Sequence, residues 1–92
     1  MTAAVTDPDA GKKGMSAFLV PAGTEGMRVS GIEHKLGQEA SDTVQLSFET
    51  AFVPEEHRLG EEGAGYRIAL TNLETGRIGI AAPSVSMARA AV

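Results

Sequence analysis

The sequence predicts a mainly β fold with a C-terminal α-helix: a partial β-barrel or sandwich of short antiparallel strands, followed by one long helix that Pro83 kinks or breaks. Three observations predict it. Short apolar segments separated by turn residues make up the first part of the chain, as in all-β proteins. Thr43–Glu49 alternates apolar and polar residues with the period of a strand that has one wet face. From Tyr66 onward no turn signal appears until Pro83.

The first predicted strands flank a turn. Met1–Thr6 is a short apolar run, and Pro8 and Gly11 mark the turn after it, because proline fixes its own φ and glycine tolerates positive φ. Met15–Val20 is apolar at successive positions, which predicts a strand buried on both faces, and Pro21 ends it.

The next strands are predicted with different clarity. Met27–Leu36 is ambiguous and indicates a strand broken at Gly31, whereas the alternation in Thr43–Glu49 is clear. Phe52–Val53 extends this region, and Pro54 ends it.

The predicted helix is apolar nearly all round, which is typical of helices buried on several sides. A proline inside a helix costs about 3 kcal/mol, so we expect a kink or break near Ala82, before Pro83. Ser84–Val92 is again helical in composition.

Composition excludes several classes of function. The 92 residues carry a formal net charge of −4, which argues against nucleic acid or an anionic membrane as partner. There is no cysteine, and the two histidines lie far apart in sequence, so we expect neither a disulfide nor a metal site. No apolar run reaches the roughly 20 residues of a membrane span, and the N-terminus lacks the layout of a signal peptide; we expect a soluble intracellular protein. The rings available to the core are Phe18, Phe48, Phe52 and Tyr66.

A glycine-rich segment, Gly60-x-x-Gly63-x-Gly65, precedes the predicted helix. Such a junction offers free N–H groups and a favourable dipole end to a phosphate. The spacing fits neither the dinucleotide nor the P-loop pattern, and Glu61 and Glu62 would repel a phosphate. A flexible linker between strand and helix is therefore the preferred interpretation.

Within the helix, Glu74 and Arg77 lie three positions apart and so share a face. One interpretation is a surface ion pair of little energetic weight. The other is a ligand cradle: Gly76 and Gly79, each costing a helix roughly 1 kcal/mol relative to alanine, bare the backbone beside a guanidinium that holds polar or anionic groups. The residues alone leave both interpretations open.

Two further polar segments have simpler interpretations. Ser41-Asp42-Thr43 is preferred as a turn that enters the Val44 strand rather than as a ligand-binding set. Lys12-Lys13 is preferred as a solvated hairpin tip. No Ser/His/Asp set and no carboxylate pair in an apolar setting indicates a catalytic base.

Four segments of the chain carry a combined signal. They are Lys13–Val20, Lys35–Gly37 with Ser41–Thr43, Phe48–Glu49 through Val53–Pro54, and Leu59–Tyr66 running into Leu73–Ala82. In their order and spacing they resemble the acyl-CoA dehydrogenase family over nearly the whole chain. The resemblance implies that residues 1–62 are the later part of the family's β middle domain and that residues 63–92 begin its C-terminal helical domain.

The resemblance implies an FAD-dependent enzyme that removes the α-proton and the β-hydride of an acyl-CoA thioester and passes the hydride to the flavin. It also implies an electron-transfer flavoprotein as partner, a homotetramer, and a cytoplasmic location or, in a eukaryote, the mitochondrial matrix. The family's Asp-x-x-Arg-like set, which contacts CoA, falls here on Glu74, Thr75, Gly76 and Arg77, with Arg77 as the main contact.

The resemblance also implies that part of the chemistry lies outside this chain. The family's flavin-contacting strand falls before Met1 and its usual catalytic glutamate beyond Val92, so we expect these residues alone to be inactive. Some relatives carry the base at the position of Gly76, which excludes that subtype. Glu39 stands where many relatives have arginine, and Glu74 replaces the commoner aspartate.

The alternative, from another class, is a stand-alone small β domain that acts as a non-catalytic binding or oligomerisation module. The apolar helix motivates it, because a large exposed apolar surface usually marks an interaction site.

Overall fold

The computed structural model describes all residues, 1–92. Five strands precede one long helix: β1 (Thr2–Val5), β2 (Met15–Phe18), β3 (Met27–Ile32), β4 (Val44–Phe48), β5 (Arg58–Leu59) and α1 (Gly65–Ala91). Short 3-10 turns span Gly11–Gly14 and Glu55–His57. The chain divides into two compact units, one made of Met1–Leu19 with Arg58–Val92 and the other of Val20–His57. The predicted class, short antiparallel strands followed by one helix, is confirmed, and neither sheet closes into a barrel.

The first unit is built on a three-stranded antiparallel sheet with β2 in the centre, between β1 and β5. β1 runs alongside β2 from the pair Thr2 and Phe18 to the pair Val5 and Met15. The two-residue strand β5 pairs Leu59 with Ala17, on the other side of β2. A central strand has no free edge, so β2 is the part of this sheet best placed for burial.

Burial in the first unit is concentrated on β2 and the start of α1. Ser16 and Ala17 are both 0% exposed. Because successive side chains of a strand point to opposite faces, the predicted burial on both sides is confirmed at these two residues. The strand ends at Phe18 rather than Val20, and Leu19 is 49% exposed. Gly14 and Gly65 are the other buried residues.

The prediction that the aromatic rings contribute to the core is wrong for Phe52, and Phe48 is only partly covered. The side chain of Phe52 is 81% exposed and that of Phe48 is 40% exposed, whereas Phe18 and Tyr66 are half-buried. Large rings were expected inside because they contribute most apolar area per residue. The close approach of backbone segments at β2 leaves room only for small side chains there.

Helix α1 contacts the sheet through its first two turns. Gly65 lies against the backbone of Met15 and Ser16, and the Asn72 side chain reaches the sulfur of Met1 at 3.7 Å. From Leu70 to the end of the helix every residue is exposed. None of the helices combines the length and apolar character that crossing a bilayer requires.

The break expected at Pro83 is absent, because the helix continues from Gly65 to Ala91 with Pro83 in its interior. Proline removes one backbone N–H donor, while the hydrogen bonds on either side persist. The hydroxyls of Ser84 and Ser86 donate to the carbonyls of Ile80 and Ala82, both at 2.9 Å, and so add hydrogen-bond donors around the proline.

The second unit is an antiparallel pair of β3 and β4. An irregularity between Val29 and Gly31 leaves Ser30 outside the regular register, so the predicted interruption at Gly31 becomes a bulge within a continuous strand. β3 ends at Ile32 rather than Leu36, and β4 lacks the predicted end residues Thr43 and Glu49. The prediction of a single wet face is wrong, because the apolar side chains of Val44, Leu46 and Phe48 are 38%, 48% and 40% exposed. The predicted extension at Phe52–Val53 is wrong, because these residues belong to no strand.

The loop between β3 and β4 is held by the Lys35 side chain. Its ammonium donates to the carbonyl of Gln38 at 2.9 Å and to that of Ser41. The amide of Ser41 also donates to Gln38 O at 3.0 Å, and the amide of Glu33 donates to Thr43 O at 2.8 Å. Ser41–Thr43 therefore forms part of the turn that enters β4, as preferred from the sequence.

Candidate functional site

The predicted site residues Glu74, Thr75, Gly76 and Arg77 lie together on α1, and all are exposed. Neither Glu74 nor Arg77 makes an ion pair or a side-chain hydrogen bond. The sequence left two interpretations open, and the first of them, a surface ion pair between Glu74 and Arg77, is not formed. The guanidinium of Arg77 is free to bind a group from outside the chain, and five N–H donors suit it to phosphates, carboxylates and carbonyls.

An open hollow on α1 surrounds this arginine and is lined by Leu73, Gly76, Arg77, Ile80 and Ala81. A Cβ added at Gly76 or at Gly79 would meet no atom within 4 Å. Packing within this chain therefore does not require either glycine. The hollow combines apolar walls with one strong donor, which is a common composition for sites that bind an organic ligand.

A second hollow lies at the beginning of α1, and sequence reasoning missed it. Its walls are Lys12, Lys13, Glu61, Glu62, Gly63, Ala64, Tyr66 and Arg67. The ammonium of Lys12 lies 5.3 Å from the centre of the Tyr66 ring, which is within range of a cation–π contact. The predicted solvated tip at Lys12-Lys13 is thus one wall of a concave surface.

The charges around this second hollow are mixed. Lys12, Lys13 and Arg67 contribute positive groups, whereas Glu61 and Glu62 contribute negative ones. The first hydrogen bond of the helix runs from the Ile68 amide to Ala64 O at 3.0 Å, so the amides that precede it in the first turn have no acceptor within the helix. These donors and the positive end of the helix dipole add to the three cations.

The glycine-rich segment before α1 has a structural explanation. Gly63 has φ +85°, and a Cβ added there would lie 2.5 Å from Lys13 O. A Cβ added at Gly65 would lie 2.7 Å from the Ser16 carbonyl carbon. The segment does link strand and helix, but it is packed tightly against β2, so the predicted flexibility is wrong. The glycines are needed because they permit the close approach of two backbone segments.

Both hollows lie on unit one, and α1 joins them. Tyr66 and Arg77 are separated by about three helical turns and hence point in nearly the same direction, about 16 Å apart along the axis. Leu70 and Leu73 lie between them on the same face, with exposures of 45% and 62%. The exposed face of α1 thus connects a cationic hollow at one end with an arginine at the other, across an apolar stretch.

No protein-family model matches the sequence. The chain is 49% identical over 92 residues to an acyl-CoA dehydrogenase of Bacillus subtilis (strain 168), and the match covers 100% of this chain and 24% of that protein. The chain therefore spans about a quarter of the length of the curated relatives it matches.

Two solved structures match the fold. Butyryl-CoA dehydrogenase from Megasphaera elsdenii superposes with a TM-score of 0.84 at 44% identity, over 87% of this chain and 21% of that one. A chain from the structural study of the electron transferring flavoprotein of Acidaminococcus fermentans gives a TM-score of 0.84 at 46% identity, over 87% of this chain and 21% of that one. In sequence and in fold, this chain belongs to the acyl-CoA dehydrogenase family, of which it represents one segment.

Proposed function

We propose that these residues form part of an FAD-dependent acyl-CoA dehydrogenase, in which they bind the CoA moiety of the substrate and do not supply the catalytic base. The observation that carries the proposal is the 49% identity to an acyl-CoA dehydrogenase over the full 92 residues. The enzyme would oxidise the Cα–Cβ bond of an acyl-CoA thioester. FAD would supply the hydride acceptor for Cβ, and a base that these residues do not supply would take the proton from Cα.

The residues of this chain do not by themselves fit the flavin. Ser16 is the one fully buried polar side chain, and its hydroxyl is engaged within the chain. The other buried polar atom of note is Nδ1 of His57, a single atom without a hydrogen-bond partner. We therefore assign no residue here to FAD.

The CoA moiety would lie along α1. Arg77 would donate to carbonyl or phosphate oxygens near the middle of the molecule, and the bare backbone at Gly76 would let the pantetheine arm approach the helix. Thr75 and Glu74 flank this contact. The apolar side chain of Leu73 would cover the arm, and the distance of about 16 Å along the helix to Tyr66 suits an extended pantetheine chain.

The nucleotide end of CoA would lie in the hollow at the start of α1. Phosphates are bound by ammonium and guanidinium groups and by free amides at helix N-termini, and this hollow offers Lys12, Lys13, Arg67 and the first turn of α1. The Tyr66 ring offers a face on which adenine can stack. Glu61 and Glu62 weaken the local positive potential, so we expect binding that depends strongly on ionic strength.

The proposal is tested by titrating the ¹⁵N-labelled 92-residue chain with CoA and following the amide signals. We expect shifts at Lys13, Tyr66, Gly76 and Arg77 and none in β3 and β4. Arg77→Ala should weaken binding at least several-fold. Arg89→Ala is the matched control, because Arg89 lies near the end of the same helix on a different face. Absence of CoA-dependent shifts, or equal losses in the two arginine variants, would contradict the proposal.

A second test concerns the whole enzyme. The corresponding segment of the Bacillus subtilis acyl-CoA dehydrogenase is replaced by these 92 residues, and dehydrogenation is followed with an artificial electron acceptor. We expect the chimaera to keep FAD and activity, and Arg77→Ala within it to raise KM for acyl-CoA. A chimaera that binds FAD but ignores acyl-CoA would refute the assignment of this segment.

We further propose an electron-transfer flavoprotein as the redox partner and a homotetramer as the state of the whole enzyme. The match to a chain studied with the electron transferring flavoprotein of Acidaminococcus fermentans supports the first. We expect the enzyme in the cytoplasm or, in a eukaryote, in the mitochondrial matrix.

The alternative function, a non-catalytic binding or oligomerisation module, is favoured by one observation. Leu73, Ile80 and Met87 on α1 are 62%, 65% and 61% exposed, which is an unusual amount of apolar surface for a helix. Sedimentation of the 92-residue chain distinguishes the two: a discrete oligomer without CoA affinity favours the module.

A further inference from the structure

The hydroxyl of Ser16 joins the three segments that meet beneath the hollow at the start of α1. It accepts a hydrogen bond from the Gly63 amide at 3.0 Å and lies 2.8 Å from the hydroxyl of Thr6. The Thr6 hydroxyl lies 3.3 Å from Gly14 O, to which it donates. Because the Thr6 hydroxyl has one hydrogen and donates it to that carbonyl, the hydroxyl of Ser16 is the donor in the bond between Ser16 and Thr6. The side chain of Ser16 is 0% exposed.

This chain of bonds links the two walls of the hollow. Gly14 follows directly after Lys12 and Lys13, whereas Gly63 precedes Tyr66 and Arg67. The Gly63 backbone lies so close to Lys13 O that no side chain fits between them. The amides of Thr6 and Asp7 also donate to Gly14 O, at 2.7 and 3.0 Å. The Ser16 hydroxyl therefore connects the start of α1, through Thr6, to the segment that holds the lysine turn.

We propose that Ser16 is a positioning residue for the nucleotide end of CoA: its hydroxyl, bonded to Gly63 and Thr6, holds Lys12 and Lys13 at the distance from Tyr66 and Arg67 that a bound 3′-phosphate requires. The inference rests on the proposed function and adds to it a residue that touches no ligand. A buried amide that loses its acceptor must find another one or remain unpaired. Without the hydroxyl, Gly63 is released from β2, and the two walls of the hollow no longer keep one spacing.

The test compares two ligands that differ only at the proposed contact. The 92-residue chain is titrated with CoA and with dephospho-CoA, which lacks the 3′-phosphate, at a temperature where circular dichroism shows each variant folded. The quantity of interest is the ratio of the two dissociation constants. A purely structural role would lower the melting temperature and leave this ratio unchanged.

We expect wild type to favour CoA several-fold and Ser16→Ala to reduce this preference at least threefold. Thr6→Val keeps the bond between Ser16 and Gly63 but removes the acceptor of the Ser16 hydrogen, and it should reduce the preference for CoA about twofold. This variant replaces Ser16→Ala in the test if Ser16→Ala does not fold. Ser86→Ala, at an exposed serine of α1, is the control and should change nothing. If Ser16→Ala folds and keeps the wild-type ratio of dissociation constants, the inference is overturned and the proposed function is not. If Ser16→Ala does not fold, the same result for Thr6→Val overturns the inference. A wild-type chain that binds neither ligand overturns the proposed function and the inference with it.

Discussion

The Gly65→Ala substitution is the sharpest test of how α1 is attached to the sheet. The added Cβ would lie 2.7 and 2.8 Å from the carbonyl carbon and Cα of Ser16, and 2.9 Å from the carbonyl carbon of Met15. Carbon atoms pack best at about 3.5–4.0 Å, so all three contacts are too short by about 0.6 Å or more. All three atoms belong to the backbone of the central strand and cannot rotate away.

The expected cost follows from these contacts. Overpacking of a well-packed core typically costs about 1–3 kcal/mol, and a gain in helix propensity of at most about 1 kcal/mol offsets part of it. We expect Gly65→Ala to lower the free energy of unfolding by about 1–2 kcal/mol. Gly76→Ala is the matched control: its Cβ meets no atom within 4 Å, so only the propensity gain remains and the variant should be more stable by about 0.5–1 kcal/mol.

Urea unfolding followed by circular dichroism at 222 nm measures both variants. The two midpoints should move in opposite directions with unchanged slopes, because neither substitution alters the surface exposed on unfolding. If Gly65→Ala is as stable as wild type or more stable, the close approach of α1 to β2 is not what holds the helix, and the reasoning fails.

Three further predictions concern other parts of the chain. Gly63→Ala combines positive φ with a contact of 2.5 Å to Lys13 O, and should lower the melting temperature by several degrees; an unchanged melting curve would contradict the packing described. Phe52→Ser should change the free energy of unfolding by less than about 0.5 kcal/mol, because the ring is 81% exposed, and a larger loss in urea unfolding would mean that the ring is buried. Arg28→Ala removes the largely exposed ion pair between Arg28 and Glu49, whose nitrogen and oxygen lie 2.5 Å apart. The loss in free energy of unfolding should stay below about 1 kcal/mol, and thermal melts at high salt should show no difference from wild type.

Those elements that have a strong local period could be predicted from the sequence. The alternation in Thr43–Glu49 predicted β4 to within one residue at each end, and the uninterrupted segment after Gly65 predicted the helix. A two-residue strand such as β5 carries no period at all and depends on β2 for its existence, so no pattern within it could reveal it. The energetic cost of a proline inside a helix predicted a kink or break near Ala82, but the helix continues through Pro83 to Ala91.

The candidate site divides in the same way. Arg77 and Gly76 were found because their spacing on one helix is a local property. The hollow of Lys12, Lys13 and Tyr66 was missed because its walls are brought together by the contact of β2 with α1, which is distant in sequence. A pair of lysines just before a buried strand was the signal available, and it is equally typical of a solvated turn.

Because α1 is attached to the sheet near one end only, a small tilt of the helix displaces its free end by a larger distance. Its 27 residues extend for about 40 Å, and Asn72 is the last residue of α1 described in contact with the first strands. Arg77 lies about 7.5 Å beyond Asn72 along the axis, and the far end lies about 28 Å beyond it. A tilt of about 5° at Asn72 would displace Arg77 by about 0.7 Å and the far end by about 2.5 Å. Small changes in side-chain volume where the helix meets the sheet would therefore displace the far end of the helix several times more than the arginine.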